Sequence, residues 1–258
     1  MIVQRSRLKQ LIPWAVPISL ILLWQFLSQI GFLSTRVLPA PSAVVLAAIQ
    51  LARSGELFRH LLVSTIRAFS GLAIGGSIGF GLGLLTGSLP IAEKLLDTTV
   101  QMLRNIPHLA MIPLVILWFG IGEEAKLFLV SIGVFFPIYL NTFHGIRTVD
   151  RGLIEMGKVY GLQPAELFWQ IVLPGALPAI LVGLRYALGF MWLTLIVAET
   201  IASDSGIGYM AMNAREFMRT DVVVFSILMY SLLGKIADTI AKFLETNLLQ
   251  WHPSYQIA

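Results

Sequence analysis

Glu155-Met-Gly-Lys-Val-Tyr-Gly161, followed after nine more residues by Ile171-Val-Leu173-Pro174, is a polar stretch set between two long apolar runs. Its surroundings decide how it is read. Apolar residues make up 57% of the 258-residue chain and charged residues only 12%. A soluble domain has about 45–50% apolar and about 25% charged residues. Mean hydropathy is +0.81. One soluble core would struggle to hide so much apolar surface, so the chain reads as an all-α integral membrane protein. The formal charge of +4 is small. The absence of cysteine excludes a disulfide framework, a thiol nucleophile and a thiolate metal site.

A membrane span needs roughly 20 mostly apolar residues to cross about 30 Å. Charge-free runs cover 10–35, 68–92, 105–122 and 127–146. A fifth run, 176–198, is broken only by Arg185, and a sixth, 222–244, carries Lys235 and Asp238 at a spacing that lets them pair. These predict about six transmembrane helices in one domain, 1–258. Arg5, Arg7 and Lys9 precede the first run, which is too long for a cleavable signal and reads as an uncleaved anchor. With the N-terminus inside, Lys94, Arg104, Arg147, Arg151, Lys158 and Lys242 fall inside. Arg36, Arg53, Arg59, Arg67, Lys126, Arg215 and Arg219 then fall outside, a weak bias. Both termini are thereby expected in the cytoplasm, with 147–174 as a cytoplasmic loop and 36–60 and 199–221 as the larger outside segments.

Within the loop, Asp150 suits an N-cap for a helix over Arg151 to Tyr160. Gly161 can end that helix in a left-handed conformation. Pro164 suits the first turn of a second helix, which Pro174 is expected to end. A polar helix–turn–helix between two spans is either a dock for a soluble partner or an ordinary solvated loop.

The spacing Glu-x5-Gly-x9-Ile-x-Leu-Pro resembles the cytoplasmic "EAA" loop of ABC importer permeases, with Met156 and Gly157 where that family usually has two alanines. The resemblance extends through Gln101-Met-Leu-Arg-Asn-Ile-Pro-His-Leu-Ala110, Pro113-Leu-Val-Ile-Leu-Trp-Phe-Gly-Ile121, Trp192-Leu-Thr-Leu-Ile-Val-Ala-Glu-Thr200 and Ser205-Gly-Ile-Gly-Tyr-Met-Ala-Met-Asn-Ala-Arg-Glu-Phe217. These look like the aliphatic sulfonate branch, whose relatives carry taurine, nitrate, bicarbonate and thiamine precursors. The resemblance implies a type I ABC importer permease fold in the bacterial inner membrane. It implies a homodimer, two copies of an ABC ATPase that hold ATP and Mg, and an extracytoplasmic substrate-binding protein. Glu155, Gly161, Ile171, Leu173 and Pro174 would then couple to the ATPase. The chain itself contains no G-x-x-x-x-G-K-[ST] cradle for phosphates. A secondary transporter or channel driven by an ion gradient is the alternative from another class, and co-purification with an ATPase separates the two.

Polar residues at membrane depth call for a function. Arg104, Asn105, His108 and Arg185 are candidates to line an anion path. A structural pair, such as Arg104 with Asp97, or snorkelling to the surface is the other reading. Pro107 and Pro113 should kink the third span. Glu199 should sit at the outer end of the fifth span as a cap or a gate. Gly71, Gly75, Gly79, Gly83 and Gly87 recur every four residues. They permit close helix approach, either within the chain or at a dimer seam. That stripe drifts by about 40° per step on a 3.6-residue helix, so it is expected to wrap rather than stay on one face. The four histidines show no ligand spacing, and no nucleophile–base pairing is visible, so neither a metal site nor catalysis is expected; a nucleic-acid partner is not expected either. Single cysteines introduced at Ser42 and Asn213 are expected to crosslink to the binding protein from outside. Labelling of both from the cytoplasmic side alone would reverse the orientation.

Overall fold

The computed structural model describes residues 2–35, 37–201 and 203–252, with side chains from residue 15 onward. Among these, every regular element is helical. The order is α1 (Ile2–Gln29), α2 (Pro41–Ser54), α3 (Glu56–Ser88), α4 (Pro90–Arg104), α5 (Ile112–Phe119), α6 (Glu123–Arg147), α7 (Arg151–Val159), α8 (Pro164–Leu167), α9 (Leu173–Ile201), α10 (Ile207–Glu216) and α11 (Thr220–Leu248). A 3₁₀ turn, His108–Met111, leads into α5, and a π turn, Phe168–Val172, joins α8 to α9.

Four stretches among the described residues are long and apolar enough to span a membrane: α3, α6, α8 with α9, and α11. The pair α4 and α5, bent by 78°, makes a fifth if it counts as one span. About six were expected. In the first expected span, Ala15–Gln29 is a shorter apolar helix, and the side chains before it lie outside the described residues.

The charge-gap reading misplaced two boundaries. Helix α3 begins at Glu56 rather than 68. Arg67 interrupted the charge-free run, yet it lies inside the helix, 3% exposed and paired. Arg59, Arg67 and Lys126, counted as outside-loop cations, are within α3 and α6. A paired, buried cation ends a charge-free run without ending a span. The third span is also not one kinked helix over 105–122. It is broken between α4 and the 3₁₀ turn, where Pro107 supplies no donor. Helix α4 carries Glu93, Lys94 and Asp97, and those charges hid it from the count.

Pro174 does not end the second helix of the polar loop. The chain continues through the π turn into α9. There the Leu173 N–H donates to the Phe168 carbonyl, five residues back. A proline ring would clash with the carbonyl four residues before it in a regular helix. The widened turn makes room, so the proline is absorbed rather than terminating.

Helices α3 and α6 run side by side in the same direction. A methyl group built on Gly71 would meet Val130, on Gly79 the Phe135 carbonyl oxygen at 2.6 Å, on Gly83 Thr142 and on Gly87 Ile146. At Gly75 it would run into the Ser131 carbonyl. All five glycines therefore face one helix of the same chain, and α6 follows the drift of the stripe. Because α3 and α6 are parallel, the chain between them must return, and α4 with α5 is that return. Helix α9 runs antiparallel to α6, with Gly183 against Asn141 and Gly145 against the Ala176 carbonyl.

Gly75→Ala is expected to destabilise the detergent-solubilised protein by about 1–3 kcal/mol, because the added methyl meets backbone that cannot yield. Gly81→Ala, which opens onto empty space, is the control and should melt at or above the native temperature.

Candidate functional site

The polar loop folds as a compact hairpin. Asp150 caps α7 by accepting from the Gly152 N–H at 2.7 Å. Gly161 turns the chain with φ of +80°, a conformation that favours glycine. Gln163 and Glu166 form a reciprocal capping box at α8. Gly157 lies against Ile171 and Leu167, where a methyl group would approach Ile171 Cδ1 to 2.6 Å. The glycine in place of alanine thus lets α7 settle on the stalk of α9.

This separates the expected coupling residues. Glu155 is exposed on α7, and Gly161 is the elbow. Ile171 packs beneath α7, and Leu173 and Pro174 are half-buried in the stalk. The sequence reading missed the exposed apolar surface beside Glu155, formed by Leu153, Met156, Val159 (86% exposed), Tyr160 (79%) and Trp169 (65%). The spacing of 153, 156 and 160 was the available signal. Large apolar side chains exposed together on a polar hairpin form a candidate contact surface for another protein or a membrane.

The four candidate path residues do not form one cluster. Arg104 and Asn105 are exposed at the end of α4. Asp97 is not seen paired with Arg104; it accepts from Tyr139 at 3.2 Å and from Gln101 at 3.3 Å. His108 sits 3.1 Å from the Thr194 hydroxyl and edge-on to Phe190. That contact lies roughly 13 Å along α9 from Arg185, at 1.5 Å per residue.

Arg185 pairs with Asp238 on α11 at 2.6 Å and reaches Glu245 at 3.7 Å. Asp238 also receives Lys235 at 3.3 Å and Lys242 at 3.2 Å. Three cations thus meet two carboxylates across α9 and α11. The cluster closes one end of a groove of about 590 Å³, lined by Val182, Tyr186, Gly189, Phe190, Leu193 and Gly234.

A second polar centre, at the end where α9 finishes, was not foreseen as a network. Glu199 is 1% exposed. Its carboxylate accepts from Arg67 at 2.9 Å, Ser64 at 2.8 Å, Tyr230 at 3.0 Å and the Gly208 N–H at 3.0 Å. Arg67 is also bidentate to Glu123, which holds the buried Lys126 at 3.0 Å. The same cluster takes in the loop before α10: Arg67 donates to the Ser205 carbonyl at 2.6 Å. The Gly206 N–H donates to His60 Nδ1 at 3.0 Å. Beside it, the Ser205 hydroxyl holds the Asp204 carboxyl below its usual range. Glu199 is therefore neither a simple helix cap nor an isolated gate residue, since it joins α3, α9, α10 and α11. Arg67 and Glu199 stand 132 residues apart, and no local pattern links them.

Removing one partner of a buried ion pair leaves an uncompensated charge and costs about 3–5 kcal/mol. Glu199→Ala is expected to lose stability on that scale in a thermal melt in detergent. Glu199→Gln, which keeps part of the hydrogen bonding, should lose less.

Residues 75–250 match the family described as "Binding-protein-dependent transport system inner membrane component". The chain is 58% identical over 245 residues to SsuC of Escherichia coli (strain K12), named for aliphatic sulfonates transport, covering 95% of this chain and 93% of that protein. It is 44% identical over 241 residues to SsuC of Bacillus subtilis (strain 168), covering 93% and 87%. It is 32% identical over 242 residues to the taurine transport permease TauC of Escherichia coli (strain K12), covering 92% and 88%. Among solved structures, an inward-facing form of the MetNI methionine ABC transporter matches with a TM-score of 0.52 at 20% identity, covering 74% of this chain and 95% of that chain. That likeness concerns the fold, which is the type I importer permease arrangement. The chain belongs to the binding-protein-dependent inner-membrane transport components and is a multi-pass permease subunit of an ABC importer.

Proposed function

We propose that this permease carries aliphatic sulfonates inward. Two copies would form the translocation path, with two ATPase chains holding ATP and Mg on the cytoplasmic side. A binding protein would deliver cargo from the other side. The substrate class is supported by the 58% identity to a protein named for aliphatic sulfonates, over 95% of this chain. Taurine, nitrate and bicarbonate are the alternative cargoes.

The coupling role rests on one observation. The exposed apolar patch around Glu155 sits on a hairpin that continues into α9 without a loop. A partner that moves the hairpin therefore moves α9, the helix that carries Arg185 and Glu199. With the ATPase chains docked on it, the hairpin would lie in the cytoplasm, and both termini with it. Closure of the ATPase pair would draw two hairpins together and open the spans outward, and hydrolysis would return them.

Glu155→Lys and Gly161→Val are expected to insert normally but to lower substrate-stimulated ATP hydrolysis in the reconstituted system. Gly161→Val should be the more severe, because a β-branched residue resists a φ of +80°. Full stimulated hydrolysis in both variants would rule out the docking role. Uptake of radiolabelled sulfonates, taurine and nitrate by the native system tests the substrate class.

A further inference from the structure

The groove between α9 and α11 combines two chemistries. One wall is apolar, made by Phe190 and Leu193 together with the ring of Tyr186. At one end stands the cluster of Arg185, Lys235, Lys242, Asp238 and Glu245. With these groups in their ordinary charge states the cluster carries one net positive charge. Arg185, Lys235 and Lys242 all remain substantially exposed. They lie within helices long and apolar enough to span a membrane. Exposed charges are disfavoured against lipid tails, so this end of the face looks onto water, lipid headgroups or another protein chain. The groove's volume, about 590 Å³, falls within the range of ordinary small-molecule sites, about 300–1,000 Å³.

We propose that this groove is a substrate site on the permease itself, which reads the alkyl chain of an anionic cargo. The anionic head lies at Arg185, and the tail lies along Phe190 and Leu193, one to two turns further along α9. The surplus cation attracts the head. Asp238 and Glu245 share Arg185 and keep that attraction modest, which lets the cargo leave. The apolar wall makes a longer tail bind better, since each buried methylene strengthens binding about fourfold. Selection by chain length is then made twice, once by the binding protein and again in the membrane. The proposal rests on the sulfonate reading of the preceding subsection.

Two glycines make a direct test. Gly189 and Gly234 line the groove, and a methyl group built on either meets nothing within 4 Å. A leucine there fills the groove without pressing on the fold. The complete system, with ATPase and binding protein, is reconstituted in liposomes with native, Gly189→Leu or Gly234→Leu permease. Uptake of ethanesulfonate and of octanesulfonate is measured. The binding protein is the same in every sample, so the change in the octane-to-ethane ratio belongs to the permease. Each variant is expected to lower that ratio about tenfold relative to native, the discrimination that a methylene-sized change in an apolar pocket gives.

An unchanged ratio in both variants overturns the proposal while leaving sulfonate transport standing. Equal loss for both cargoes with a reduced dimer fraction also overturns it, and makes the groove a seam between copies. Equal loss that varies with the anionic lipid content of the liposomes overturns it in favour of a lipid occupant. If the native system carries neither sulfonate, the sulfonate reading fails first, and the groove proposal falls with it.

Discussion

Burying a charge in a membrane protein forces a partner upon it, and the Arg67–Glu199 pair is where this chain meets that constraint. Both residues are almost wholly shielded, and their separation is 2.9 Å. Every remaining polar position of the Glu199 carboxylate is taken by Ser64, Tyr230 or the Gly208 N–H. Removing either partner of such a pair leaves a buried charge uncompensated. It sets α3 against α9 and α11, and it holds the loop before α10 through Ser205 and the start of α10 through Gly208.

A second constraint acts along the bundle. Helix association in lipid relies on close packing rather than on the hydrophobic effect. The glycines of α3 bring its backbone against α6, and Gly145 and Gly183 do the same between α6 and α9. Three helices are thereby joined through backbone contact. Helix α9 carries the hairpin at one end and Glu199 of the ion network at the other, and it packs on α6, which packs on α3. The π turn and Pro174 lie where the hairpin joins α9.

The α9–α11 face differs from the rest of the surface. Elsewhere much of the exposed surface of the spans is apolar, as at Ile66, Ile74, Ile78 and Leu228. Here an ion cluster lies open beside an apolar groove. Two surfaces of one permease are thus set apart by polarity: the hairpin patch, apolar where its surroundings are polar, and the α9 cluster, charged where its surroundings are apolar.

Much of the fold was legible in the sequence. Charge gaps located most spans because a lipid-facing helix tolerates few charges. Asp150, Gly161 and Pro164 marked the hairpin because caps, left-handed turns and first-turn prolines are local in origin. The pairing of Lys235 with Asp238 followed from helical spacing and is present at 3.3 Å. What sequence alone left undecided depends on residues distant in the chain. Arg67 ended a charge-free run, and only its burial against Glu123 and Glu199 shows that it belongs inside α3. Pro174 reads as a terminator, and only the π turn before it shows that the helix continues. The break at Pro107 was visible as a kink, but its full bend follows from the parallel packing of α3 and α6. Arg185 was recognisable as a charge out of place; its partners, Asp238 and Glu245, are supplied by a helix that the fold brings alongside. Local propensity is written residue by residue, whereas the pairing of a buried charge is decided by which helices pack together.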